Sequence, residues 1–514
     1  MARSFEEAAG GRVMAKRFFR KWLLRPLLSL VLFSAVMALG ELVFRHVEGY
    51  EVLVGPLRRV TPWVDEQPLP VRWSDEFLAS APEATDQSWF FSSPQELPRR
   101  APDAALTARW IKGAGRNWVN YIINDAALLA MKERPRVAEV VLEPPRPDTV
   151  FVAPGPGGTP YPVYRYLPSA VYPMGLRTNR FGFRGRELSL VKSDRTIRIA
   201  CLGASTTVGG HDLPFSYPEL LQHWLELWGR KHWPGLNFEV INAGREGVSP
   251  RDLEAILRYE LLPFEIDVLL YYEGWNHLIP ANLVEVDTTS SVARPPVAAP
   301  LDTSGFRSLL FEKIRSLLRP KVMLEEAPRP PQRVPGLSED SQRVVDPVLL
   351  DQTMRWMDVE PALNGIEQIC RASGITLLVC TYASLVHEGL LLNASTHEGA
   401  YRWLNQLLWP VSYRNLDRVL SLQNEKFRSW CESHRVTLVD VASRTPKWPE
   451  LYRDGIHGTG AGLRVRAWAV LEGLLPELQA ALLSGKFPRA DGRPSDTSHP
   501  YLGKHFEVET PPFK

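Results

Sequence analysis

The sequence has little cysteine and little net charge, and each shortage narrows what the chain can do. Four cysteines occur in 514 residues, Cys201, Cys370, Cys380 and Cys431. None is spaced as a metal ligand pair, and all lie in or beside apolar segments, so they read as small core residues. The formal net charge is only +2. No Lys/Arg-dense stripe appears beyond the amino-terminal arm, which argues against a nucleic-acid partner. Gly209 and Gly210 lack the lysine and spacing of a phosphate-cradling loop. The pairs His387-Glu388 and His397-Glu398 do not fit H-E-x-x-H and read as solvated loop or lid residues. No metal and no cofactor is therefore implied.

The remainder is an ordinary globular composition, 45% hydrophobic and 23% charged, long enough for one large domain with additions or for two domains. Residues 1–21 form a basic arm with Arg3, Arg12, Lys16, Arg17, Arg20 and Lys21. An apolar run over 22–44 follows, sufficient for one transmembrane helix. The positive flank keeps the arm in the cytoplasm and exports the bulk of the chain, so the membrane is an expected partner. A cleaved signal peptide is the rival, with Ala38-Leu39-Gly40 as a small-residue cleavage site. The uncleaved anchor is the expectation, because apolar residues continue through Leu42-Val43-Phe44. Export is common to both.

From 45 to 175 the chain is rich in proline (PLPVRW, EPPRPD, VAPGPGGTPYPVY) and reads as a spacer or a loosely built cap. Its helical signal is confined to short pieces such as 117–132. The main domain is expected over 176–485, with a polar tail at 486–514. Strand-like runs at 197–202, 238–242, 266–272, 376–381 and 436–439 alternate with helical patterns. Ser216-Tyr217-Pro218-Glu219 and Ser249-Pro250-Arg251-Asp252 carry helix-start chemistry. Further helices are expected over 348–372, 416–433 and 461–483. This alternation predicts an α/β fold with a mostly parallel five-stranded sheet covered on both faces. An insertion at 281–346, proline-rich around a helical piece at 306–318, reads either as a lid or binding element or as a linker.

The chemistry gathers around 196–210, TIRIACLGASTTVGG. Ser205 follows a short apolar strand and stands where open α/β sheets keep their sites; from this stretch alone, a helix N-cap is an equal reading. Three further blocks fall at strand ends or before the last helix: Asn242-Ala243-Gly244, Gly274-Trp275-Asn276-His277 and Asp454-Gly455-Ile456-His457. Strand ends of a parallel sheet share one rim, so these blocks would meet there. Together they suit acyl transfer: Ser205 as nucleophile, His457 as base held in one tautomer by Asp454, and the amides of Ser205 and Gly244 with the Asn276 side chain as oxyanion donors. Asn242 and Asn424 read as ties between turns and backbone.

On those blocks, in that order, the chain resembles the SGNH (GDSL-like) hydrolase superfamily over about 176–485. LRTNRFGFRGREL before the first strand is similar to a lead-in of bacterial membrane-anchored members. Two positions depart from the pattern: Ala204 stands where Gly-Asp-Ser has aspartate, and His277 where aspartate usually follows the asparagine. The resemblance implies a flavodoxin-like three-layer α/β/α sandwich and esterase, lipase, carbohydrate deacetylase or acyltransferase activity. Three functions follow as expectations. One is an exported serine hydrolase acting on an acylated glycan or lipid. The second is an O-acyltransferase to a polysaccharide, and the third a non-catalytic scaffold or glycan-binding protein of the same fold.

Overall fold

The structure, a computed structural model, describes residues 25–47, 77–78, 85–97, 166, 168–172, 175–283, 347–392, 397–408 and 411–489. The basic arm, most of the 45–175 stretch, the 284–346 part of the insertion and the tail beyond 489 lie outside the described residues. The chain divides into two compact units, 1–63 with 298–327 and 64–297 with 328–514.

In the first unit the apolar run forms helix α1, Arg25–Val47. It begins on Arg25-Pro26 and takes Glu41 and Arg45 inside it. Among the described residues no helix is long and apolar enough to cross a membrane, so the span expected over 22–44 is not supported by the structure.

The second unit is built on β1 (Thr196–Gly203), whose eight residues are all buried. The short helix α2 (Ser205–Val208) follows, then α3 (Tyr217–His232), β2 (Asn237–Asn242) and α4 (Pro250–Ile256), which widens into a π turn over Leu257–Leu261 and ends in a 3-10 turn before β3 (Val268–Tyr272). Next come α5 (Pro347–Met354), α6 (Trp356–Ser373), β4 (Thr376–Cys380), α7 (Glu398–Arg402), α8 (Tyr413–His434), β5 (Thr437–Val439), α9 (Val441–Arg444) and α10 (Gly460–Leu483). The five strands form one parallel sheet in the order β2-β1-β3-β4-β5. That is the doubly wound flavodoxin-like order, with its reversal of winding between β1 and β3. Helix α3 packs on α10, while α4 packs on α6 and α5 on α8. Right-handed crossovers place the α4, α6 and α8 group on the face opposite α3 and α10.

Local chemistry explains most boundaries. The Glu219 carboxylate accepts the Ser216 N–H at 2.7 Å and Asp252 accepts that of Ser249 at 2.8 Å, so both expected helix starts form, each with proline in the first turn. The helix expected over 348–372 is instead broken at Arg355, which adopts a left-handed conformation with φ 50° and separates α5 from α6. β1 and β2 are slightly longer than their expected runs and β3, β4 and β5 a residue or two shorter; just before β3, the Asp267 carboxylate accepts the Arg198 N–H at 2.8 Å.

The core is one continuous cluster on both faces of the sheet. It also takes in residues from the proline-rich stretch. Phe90, on the single turn Gln87–Phe91, lies 6.1 Å from the Trp224 ring and 5.4 Å from Trp468, and Arg464 holds its carbonyl at 2.6 Å. At least this piece of 45–175 is a structural part of the domain. All four cysteines are buried without disulfides, and burial pushes the Cys370 and Cys431 thiols up to about 12.

Candidate active site

Register brings the blocks together. Gly203 of β1 pairs with Tyr272 of β3, so Ser205 leaves the sheet beside the turn that begins at Glu273. The two strands come so close that a Cβ on Gly203 would lie 2.2 Å from the Tyr272 carbonyl oxygen. Ser205 is the first residue of α2, where its own N–H has no intrahelical acceptor. The loop beyond α2 is gripped by Arg184 of the lead-in, which donates to the carbonyls of Val208 and Gly210 at 2.9 Å and of Leu213 at 2.7 Å.

His457 stands on a closed turn before α10, with the Arg453 N–H on its carbonyl at 2.8 Å. Asp454 Oδ1 accepts the N–H groups of Ile456 and His457, each at 2.8 Å, which holds the turn tight. Its Oδ2 lies 2.6 Å from His457 Nδ1, and His457 Nε2 lies 2.8 Å from Ser205 Oγ. Three side chains, two of them 252 residues apart, thus form one hydrogen-bonded line. Burial is the largest influence on Asp454 and opposes its ionisation. His457 and the two backbone N–H groups outweigh it and hold the carboxyl below its ordinary value. An ionised Asp454 fixes the proton on Nδ1 and leaves Nε2 as the acceptor facing Ser205.

The expected oxyanion donors fare differently. Asn276 is partly exposed, and its side-chain amide donates one hydrogen to the Val248 carbonyl at 2.9 Å, leaving a second. The Gly244 N–H is already engaged by Asn242 Oδ1 at 3.0 Å. Nor does Gly244 have positive φ; it is glycine because a Cβ there would lie 2.2 Å from the Val208 nitrogen. Its place in the structure is close packing of the β2 turn on α2. Gly247, exposed with φ 67°, stands one residue before the carbonyl that Asn276 binds, and its N–H makes no hydrogen bond among the described residues. A glycine three positions further along the same turn is a signal present in the sequence but masked by the first glycine.

Two residues of the site carry no sequence signal. Arg466 of α10 is buried and donates to the carbonyls of Thr206 at 3.2 Å and Ile456 at 3.1 Å, tying the residue after Ser205 to the residue before His457. Its guanidinium lies 5.1 Å from the Tyr272 ring centroid. Glu273 is buried at the end of β3; its Oε1 accepts the N–H groups of Trp275 at 2.8 Å and Asn276 at 2.7 Å. His277 is turned away into the core, 2.8 Å from Gln423 Oε1, and burial pushes its imidazole down to about 4. Asn242 and Asn424 are the expected ties: Asn242 donates to the Thr207 carbonyl at 3.1 Å, and Asn424 holds both the N–H and the carbonyl of Tyr382. His387 bonds its neighbour's carbonyl at 2.8 Å, and His397 lies 3.9 Å from Glu450.

No family model and no curated protein sequence matches the chain. Solved structures do. An acetylxylan esterase from Geobacillus stearothermophilus is 14% identical over 54% of this chain and 94% of its own, with a TM-score of 0.29. A lipase/acylhydrolase from Enterococcus faecalis is 13% identical over 55% and 96%, TM-score 0.29. A GDSL-like lipase from Bacteroides thetaiotaomicron is 9% identical over 57% and 93%, TM-score 0.26. The fold itself is a doubly wound, flavodoxin-like α/β sheet with its candidate site on the carboxyl rim. The strand order and the rim position of Ser205, Asn276 and His457 carry that statement within this chain; likenesses this distant say nothing of its chemistry.

Proposed function

We propose that the protein is an exported serine ester hydrolase that removes acyl groups from a glycan. The observation that carries this reading is the line from Ser205 Oγ through His457 to Asp454, at 2.8 and 2.6 Å. In the reading, Ser205 Oγ attacks the ester carbonyl carbon and its proton passes to His457 Nε2. The oxyanion is met by the Ser205 amide, the free hydrogen of Asn276 and the Gly247 amide, which replaces Gly244 in that role. The proton on His457 then goes to the leaving alcohol oxygen as the C–O bond breaks. Water, deprotonated by His457, attacks the acyl-serine ester and restores Ser205. With 4-nitrophenyl acetate, Ser205→Ala and His457→Ala should each lose nearly all turnover and the double variant should be scarcely worse; full activity of either single variant removes the mechanism.

A pair of tryptophans favours a sugar as the alcohol portion. The rings of Trp275 and Trp403 lie 4.7 Å apart at 48° and are both partly exposed. Trp275 precedes Asn276, and Trp403 packs on Gly455 within the histidine turn, where a Cβ would lie 2.1 Å from the ring. Rigid indole surfaces beside the group that protonates the leaving alcohol suit the apolar face of a pyranose. Trp275→Ala should raise KM for an acetylated oligosaccharide several-fold more than for 4-nitrophenyl acetate; an equal rise counts against the glycan.

The basic arm ahead of α1 supports export, with the hydrolase domain outside the cytoplasmic membrane and the amino-terminal segment retained as its attachment. A mature protein that is soluble after lysis and begins at Glu41 or later would overturn retention.

A further inference from the structure

We propose that Glu273 is a positioning residue whose protonation state controls the hydrolytic site: its carboxylate fixes the Trp275-Asn276 turn and sets the charge beside His457. The inference rests on the ester-hydrolase reading and deepens it.

The geometry is unusual for a carboxylate. Glu273 is 1% exposed, and among the described residues no Lys or Arg pairs with it. Its Oε1 is committed to the N–H groups of Trp275 and Asn276, while Oε2 is buried and meets no donor. The turn it fixes is the one that presents the Asn276 side chain. From the far side Gln423 of α8 holds the same turn, donating to the Gly274 carbonyl at 2.9 Å. A shift of Glu273 is therefore felt at the oxyanion donor.

Every other titratable or charged group near Glu273 has a stable charge or belongs to the site itself. Tyr271 and Tyr272 on β3 and Tyr382 after β4 are raised by burial and stay neutral. His277, bound to Gln423, is neutral above about 4. Arg466 of α10 remains cationic and faces Tyr272 rather than Glu273. Among the described residues, His457 is the site group whose charge acts on Glu273. Burial pushes the Glu273 carboxyl up to about 7, against the pull of the N–H groups of 274–276 and of His457. Ionised Glu273 puts negative charge near the site while Ser205 gives up its proton, and neutral Glu273 does not.

The test compares wild type with Glu273→Gln, which keeps the acceptor for both N–H groups and removes the charge. With 4-nitrophenyl acetate, kcat should fall on the order of tenfold at pH 8.5. The ratio of wild type to variant should close toward one at pH 5.5, where Glu273 is itself neutral. A ratio constant across that range marks a purely structural residue and overturns the proposal. If the variant does not fold, wild type labelled with 13C at glutamate carboxyls decides: one side-chain resonance titrating near pH 7 upholds the proposal, and none titrating above pH 6 overturns it. Loss of Ser205 reactivity toward a fluorophosphonate in wild type would defeat the hydrolase reading instead, and the carboxyl titration would still be read.

Discussion

Strand β3 carries a buried carboxylate just beyond each end, and the two are treated oppositely. Asp267, before the strand, is fully buried and saturated: Lys192 Nζ reaches both its oxygens at 2.8 and 2.9 Å, the Arg198 N–H donates at 2.8 Å, and Arg489 lies 3.6 Å away. Arg198 beside it is bound by Glu239 and by the carbonyls of Ser189, Leu190 and Phe264. Glu273, after the strand, has two N–H groups on one oxygen and, among the described residues, no Lys or Arg and no donor on the other. Balanced charge at the amino ends of the sheet makes a rigid base. Unbalanced charge at the carboxyl ends keeps a group poised near neutrality on the rim that carries the Ser205-His457-Asp454 line.

The largest effect expected is at the carboxyl rim. Ser205→Ala should reduce ester turnover by on the order of 10⁴-fold or more with no loss of thermal stability, measured by steady-state kinetics and calorimetry. Asp267→Asn should do the reverse. Leaving Lys192 buried without its partner should destabilise the fold by on the order of 3–5 kcal/mol in urea unfolding, with kcat of the remaining folded protein unchanged. A large kcat change there would break the division of labour. Asn276→Ala should lower kcat by about a hundredfold, about 2.7 kcal/mol of barrier, and leave the unfolding midpoint close to wild type.

An effect confined to stability, and absent at low pH, sharpens the comparison most. The Glu273 carboxyl is raised from 4.5 to about 7 in the folded protein. The folded state therefore binds this proton more tightly than the unfolded one. Its contribution is fully present below about pH 4.5 and lost as pH rises through 7. Glu273→Gln removes that loss. The variant should match wild type near pH 4.5 and gain stability above it, by up to about 3 kcal/mol at pH 8, read from paired unfolding curves.

The gathering of Ser205, Asp454, His457 and Asn276 on one rim was legible in the sequence because each sits in a short block at a strand end or helix start, and a parallel sheet collects such ends there. It misassigned Gly244, since a glycine selected for close backbone approach looks the same as one that presents an amide; the Asn242 side chain that captures its N–H settles the difference only in three dimensions. Arg466 is one charge on an otherwise apolar helix face, and only packing shows that its carbonyl partners lie on either side of the Ser205-His457 contact. Glu273 was passed over because an empty carboxylate oxygen is a property of the surroundings and not of the residue. The break at Arg355 was hidden for the same reason: a left-handed residue within a helical pattern has no side-chain signature unless it is glycine. Phe90 lay within a stretch whose prolines argued for a spacer, and its place between Trp224 and Trp468 depends on tertiary contacts alone.

The most direct measurement is the site of covalent labelling. Incubation of the full chain with a fluorophosphonate, followed by proteolysis and mass spectrometry, should place a single adduct on Ser205, and labelling should fail in His457→Ala, where no base accepts the proton. Wild-type protein that remains unlabelled while correctly folded, or labelling that persists undiminished in His457→Ala, would contradict the hydrolase.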